Sequence, residues 1–235
     1  TTLKRKRIYN TKERRSMKIL NLYACLGGNR YKWDEVADVE VTAVEWDEEL
    51  ARLYQERFPQ DTVIVADAHQ YLLDHYKEFD FIWSSPPCPS HSRARGWNTK
   101  LETKYPDMKL YEEIIMLETV AKGENPRFKG KYVVENVIPY YQPLVPAQKR
   151  GRHLYWTNFM LPLNINERAN PQIGHTKNEV DAFSEFHDYN FRQYKGKQPM
   201  NKIARNLVDY EAGKTILETA IGVITKQNVK QTELF

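Results

Sequence analysis

From residue 18 onward the chain alternates short apolar runs with amphipathic stretches. Ile19 to Cys25 has strand character and is broken by the pair Gly27-Gly28; a helical-looking stretch follows, and Glu40 to Glu45 is the next strand. Asp47 to Phe58 spaces its apolar side chains three and four apart, as an amphipathic helix does. Thr62 to Ala66 reads as a strand, Ala68 to Tyr76 as a helix, and Phe79 to Ser84 as a strand ending in Pro86, Pro87 and Cys88. Strands and helices alternating at this spacing predict an α/β fold: a mostly parallel sheet with helices on both faces. Further on, the pattern predicts a helix from Met108 to Lys122, a strand from Tyr132 to Glu135, strands near Arg152 to Phe159, and a last helix from Tyr210 to Val223. Residues 161–200 show no clean period and predict an irregular lobe.

Charge and cysteine content refine this division. Lys4 to Arg15 is a basic run relieved by Glu13 alone, although the whole chain, with 35 Lys+Arg against 31 Asp+Glu, carries only +4. Residues 1–15 are therefore set aside as a basic flexible tail. Residues 16–152 with 201–235 form the main domain, and 153–200 a small appended lobe. At 235 residues and 41% hydrophobic composition, one sizeable core is expected without staples. Two cysteines, Cys25 and Cys88, exclude a disulfide scaffold and a cysteine-based zinc cluster. No apolar run approaches the roughly 18–20 residues of a membrane span, so a soluble, cytoplasmic protein with no membrane partner and no metal is expected.

In open α/β sheets ligands bind beyond the carboxyl ends of the strands. The first such end is Tyr23-Ala24-Cys25-Leu26-Gly27-Gly28, whose glycines allow a tight turn and close approach to a ligand. Glu45 ends the second strand about 20 residues on, where a carboxylate grips a ribose diol, and Trp46 is placed to cover an adenine face. Asp67, followed by Ala68, adds a second carboxylate able to accept from an exocyclic amine, or to cap the helix behind it. The G-x-G-x-x-G fingerprint is absent, so the pattern predicts an adenosine-containing cofactor without a pyrophosphate.

Cys88 sits behind two prolines at a strand end, in a stiff polar turn rather than a core. With Arg93 and Arg95 nearby, its thiol is expected to have a lowered pKa and to act as a nucleophile. His91, three residues on, raises the alternative of a thiol hydrolase, for which the spacing is poor. Glu135-Asn136-Val137 then places a carboxylate and an amide at another strand end, and Gln148-Lys149-Arg150-Gly151-Arg152 adds cations.

In this order and spacing, Pro87-Cys88, Glu135-Asn136-Val137 and Gln148-x-Arg150-x-Arg152 resemble the ordered motifs of the DNA cytosine-5 methyltransferase family. The resemblance covers roughly 18–160 and returns at Asn206-Leu207-Val208, similar to the family's Gly-Asn-x-Val motif. It implies a Rossmann-like fold binding S-adenosylmethionine, with S-adenosylhomocysteine as product. Residues 23–28, Glu45, Trp46, Asp67, Ala68, Pro87, Asn206 and Val208 would hold that cofactor. It further implies that Cys88 adds to C6 of a cytosine, that Glu135 donates to N3, that Asn136 holds the loop and touches the base edge, and that Arg152, supported by Arg150, binds O2.

The target base would be flipped out of double-stranded DNA. Ser90 to Asp107 resembles the family's mobile active-site loop, and Ser92, Arg93 and Arg95 would meet phosphates. The chain departs from the pattern at Cys25 (usually Gly), Pro89 (usually Gln), His91 (usually aromatic) and in the short stretch 153–200, which predicts short or relaxed recognition, or a specificity or restriction partner. A tRNA cytosine-5 methyltransferase and an inactive nucleic-acid-binding subunit are the competing readings.

Overall fold

The computed structural model describes residues 16–98, 100–171 and 179–223; the basic tail 1–15 lies outside them, as do His175 and Lys177 of the lobe and the end of the chain past Val223. The strands are β1 (Met17–Leu22), β2 (Val39–Glu45), β3 (Thr62–Val65), β4 (Phe81–Ser84), β5 (Lys131–Val137), β6 (Gln148–Arg150) and β7 (His153–Thr157). The helices are α1 (Glu48–Arg57), α2 (Ala68–His75), α3 (Ala94–Trp97), α4 (Lys109–Val120), α5 (Glu179–His187), α6 (Met200–Asn206) and α7 (Tyr210–Ala220).

The strands form one sheet in the order β3-β2-β1-β4-β5-β7-β6. The pairs from β3 across to β5 are parallel; β7 is antiparallel to both β5 and β6 and so runs against all the others. β4, in the middle, is buried along its whole length. That is why Phe81-Ile82-Trp83-Ser84 is a continuous apolar run rather than an alternating one. α4 covers one face, packing Leu110, Ile114 and Leu117 against Leu20, Leu22, Ile82 and Val134. α7 covers the other, with Ala212, Ile216 and Leu217 on Ile19, Val41, Phe81 and Val133. Aspartates start the helices that follow the strands: Asp47 accepts from Glu49 and Leu50 N–H at α1, and Asp67 from His69 N–H at α2.

Three details differ from the sequence pattern. The stretch after Gly27-Gly28 makes turns and a single 3-10 turn (Trp33–Glu35), because buried Arg30 is held by Asp34 and Asp61 rather than continuing a helix. β1 stops at Leu22, since Tyr23 and Cys25 adopt left-handed backbone angles (φ 55° and 49°) that end a strand. The segment 153–200 is neither wholly separate nor wholly irregular. Residues 153–157 are β7, inside the sheet, and α5 packs Phe183 on Phe191, Tyr194 and Ile203.

Candidate active site

The order of strands reverses direction between β1 and β4, and beyond their carboxyl ends lies a cleft of about 560 Å³. Its walls bring together groups far apart in sequence: Tyr23 to Cys25 and Gly28 after β1, Glu45 and Trp46 at β2, Pro86 to Pro89 after β4, Glu135 and Asn136 in β5, Arg152 and His153 at β7, and Asn206 and Val208 after α6.

The wall at β1 and β2 is organised by the backbone. Glu45, 5% exposed, accepts Cys25 N–H at 2.8 Å and Asp47 N–H at 3.0 Å, one on each carboxylate oxygen. Burial raises its pKa and these two bonds work against the rise. Each oxygen keeps a second lone pair for a ligand hydroxyl. Tyr23 is fixed from below, its hydroxyl 2.5 Å from Glu113 Oε1 while Ser84 Oγ takes Glu113 Oε2 at 2.6 Å. Gly28 lets the loop meet the chain after α6: a Cβ there would stand 2.3 Å from the Val208 carbonyl oxygen. A buried carboxylate for a diol, the exposed indole of Trp46 and a cleft of this volume fit an adenosyl ligand.

The second wall carries the reactive groups. Asn136 Nδ2 donates to the Pro86 carbonyl oxygen at 2.9 Å, and its Oδ1 accepts Val137 N–H at 2.9 Å, so the amide clamps the Pro-Pro-Cys turn onto β5. Cys88 shares the cleft with Glu135, which is 7% exposed. Burial raises the Cys88 thiol pKa and the Glu135 carboxylate adds to that, against a smaller opposing pull from Lys202. The expected lowering does not occur, because burial and Glu135 dominate; Arg95 donates to the Pro89 and Glu102 carbonyls (2.5 and 2.6 Å) and so holds the loop in shape. His153 lies between Glu135 (Nε2 to Oε1, 3.5 Å) and Glu167 (Nδ1 to Oε1, 3.2 Å), and Arg152 approaches Glu167 at 3.6 Å.

Several predicted residues stand elsewhere. Asp67 is outside the cleft wall, exposed, capping α2 and paired with Lys109 at 3.3 Å; Ala68 behind it is buried under β1 and β2. Leu26 packs with Leu50 and Phe183, and Gly27 lies against Tyr54 and Phe58. Arg150 points away, donating to the carbonyls of Pro162 and Leu161 at 2.5 and 2.6 Å, so it braces β6. Ser92 and Arg93 do line the cleft. His91 is buried with Nδ1 2.6 Å from the Tyr141 hydroxyl and its ring edge-on to Tyr111, which turns it to the loop's anchor and away from hydrolase chemistry. The sequence reading missed Gln198, Lys202 and Arg205 of the cleft wall, and the link of His153 to Glu135. Strand parity carried the last: once β7 is placed antiparallel beside β5, with Glu135 opposite Tyr155 and Val137 opposite His153, Glu135 and His153 share a face.

A doubly wound sheet with one reversed strand near its edge, a buried carboxylate at the end of β2 and a cysteine turn after β4 define a Rossmann-like α/β domain. Residues 17–122 match the family model of the C-5 cytosine-specific DNA methylase. The match holds the β1 loop, Glu45 and Cys88 and ends before Glu135, Arg152 and Asn206. Comparison with curated protein sequences found no match. Among solved structures, the chain is similar to a putative methylase from Haemophilus influenzae (20% identity, 60% of this chain and 85% of that one, TM-score 0.38). It is also similar to a DNMT2 variant from Spodoptera frugiperda (24%, 52% and 36%, TM-score 0.35). A third is a putative DNA modification methyltransferase encoded within an Escherichia coli prophage (18%, 54% and 34%, TM-score 0.36). No helix among the described residues is long and apolar enough to cross a membrane.

Proposed function

We propose that the chain methylates C5 of a cytosine flipped out of double-stranded DNA, with Cys88 adding covalently to C6. The observation that carries this is the shared cleft: Cys88, clamped through Asn136, and Glu135 face the same space as the Glu45 loop. When bound, S-adenosylmethionine supplies an electrophilic methyl group, its ribose held by Glu45 and its adenine against Trp46, with Asn206 and Val208 closing the far side.

Cytosine C5 is a poor nucleophile, and addition of a thiolate at C6 makes it enamine-like. Water takes the Cys88 thiol proton, and as the thiolate electron pair enters the ring, charge builds on N3 and O2. Glu135 gives a proton to N3, and Arg152 holds O2. After methyl transfer, water takes the C5 proton, the C5–H electron pair re-forms the C5–C6 double bond, and the C6–S bond breaks to release the Cys88 thiolate. Ser92 and Arg93, beside Cys88, suit phosphate oxygens next to the flipped nucleotide. The short region between β7 and α6 implies a short recognition sequence or a separate specificity or restriction subunit, inside the cell where its DNA is.

Transfer of labelled methyl to duplex DNA and to tRNA, compared side by side, tests the reading. Incorporation into duplex DNA is expected; incorporation into tRNA alone contradicts it.

A further inference from the structure

Glu135 does not stand alone at the base-facing wall. β6 and β7 are joined by Gly151, at φ +52°, and a Cβ there would lie 2.3 Å from Glu167 Oε2. The turn thus needs glycine both for its backbone and to seat Glu167 over it. Seated there, Glu167 meets His153 Nδ1 at 3.2 Å, and His153 Nε2 faces Glu135 Oε1 at 3.5 Å. The result is a carboxylate–imidazole–carboxylate chain that runs from Glu167, mostly buried beside Arg152, through His153 to Glu135 in the cleft.

Resting on the function proposed above, we propose that His153 is a positioning residue which, oriented by Glu167, supplies Glu135 with the proton it passes to the base. The Nε2–H bond of His153 breaks as an O–H bond forms on Glu135. Glu135 gives that proton to N3 as the Cys88 electron pair enters C6, and N3 returns it when the thiolate leaves. Atoms and charge balance within the three groups and the base.

The surroundings favour the charged imidazole. Burial works against its proton, Glu135 on β5 and Glu167 on the segment after β7 outweigh burial, and Arg152 beside it opposes them, with a net rise above the ordinary 6.5. Tyr155, two residues along β7, packs edge-on to the ring at 6.3 Å and stays neutral, its own pKa pushed up by burial. Glu167, despite burial, is held below the usual range by His153 and Arg152, so it remains an acceptor for Nδ1–H. Lys202 and Cys88 face the other end of the chain across the cleft. Such an arrangement fixes the ring tautomer and keeps a proton beside Glu135.

The test combines two measurements on the full chain. Imidazole NMR titration should find His153 titrating above 6.5 in the wild type, and at lower pH in both Glu135→Gln and Glu167→Gln. Unchanged titration in Glu135→Gln overturns the proposal. Methyl transfer to duplex DNA should fall as pH rises through the His153 transition. His153→Gln should lower kcat about ten- to a hundredfold, leave KM for DNA and cofactor within about twofold, and lose that alkaline fall. Glu167→Gln, which keeps a partner for Nδ1, should move the alkaline fall to lower pH with a smaller loss. Full activity with the wild-type pH profile in His153→Gln overturns the proposal while leaving the methyltransferase reading intact. Coupled titrations in a wild-type chain that methylates no cytosine sink that reading, and the proton role with it.

Discussion

The two walls of the cleft are built by different means. At β1 and β2 the polar group is a side chain fastened by main chain: Glu45 is held by the N–H groups of Cys25 and Asp47. At β5 and β7 charged side chains fasten one another, from Glu135 through His153 to Glu167 and Arg152. Backbone donors do not titrate, so within these bonds of the first wall Glu45 alone can gain or lose a proton. The second changes its hydrogen bonding whenever one member gains or loses a proton. On the function proposed above, the first wall would hold the cofactor and the second would move protons.

Breaking the second wall should have the largest effect. Glu135→Gln keeps the shape of the side chain and removes the transferable proton, so methyl transfer should fall by about two to four orders of magnitude while cofactor affinity, measured by calorimetry, stays as it was. Breaking the first should do the reverse. Glu45→Ala leaves two N–H groups without their acceptor and should weaken S-adenosylmethionine about ten- to a hundredfold, with about 1–3 kcal/mol of stability lost in denaturant melts. Equal loss of affinity in both variants would erase the contrast.

At the end of α5, burial and the nearby Arg168, Arg57 and Arg152 cations lower the His187 pKa to about 3 from an ordinary 6.5. The folded chain therefore binds this proton more weakly than the unfolded chain. Its stability is undiminished above about pH 6.5 and drops as pH falls from there toward 3, by about 2 kcal/mol at pH 5. His187→Phe should flatten that acid limb in thermal melts recorded between pH 4.5 and 8. The smallest effect is expected at Cys25, a half-buried non-glycine residue at φ 49°. Cys25→Gly relieves the left-handed strain at the cost of unfolded-chain entropy, so stability should change by no more than about 1 kcal/mol, in the stabilising direction, with the cofactor still bound.

The sequence displayed the first wall more fully than the second, for a physical reason. Glu45 and the β1 loop act where strand, turn and helix cap follow one another along the chain, so local pattern marks them. Asp67 shows the limit of that logic: it caps α2, pairs with Lys109 and stands outside the cleft wall. Arg95 and Arg150 were legible as cations near the site, yet which way each guanidinium turns depends on carbonyls at 89, 102, 161 and 162 that no spacing reveals. His153 required knowing that β7 enters the sheet against β5, a long-range fact that alternation within β7 cannot supply.

The central claim is that Cys88 forms a bond to the target base. Duplex DNA in which 5-fluorocytosine replaces cytosine carries at C5 a substituent that cannot leave as a proton, so the adduct cannot collapse. Incubation with S-adenosylmethionine, followed by denaturing electrophoresis and peptide mapping, should give a stable protein–DNA complex joined through Cys88 and absent in Cys88→Ser. A complex that persists in Cys88→Ser would contradict the account, as would methylation of ordinary DNA by that variant at the wild-type rate.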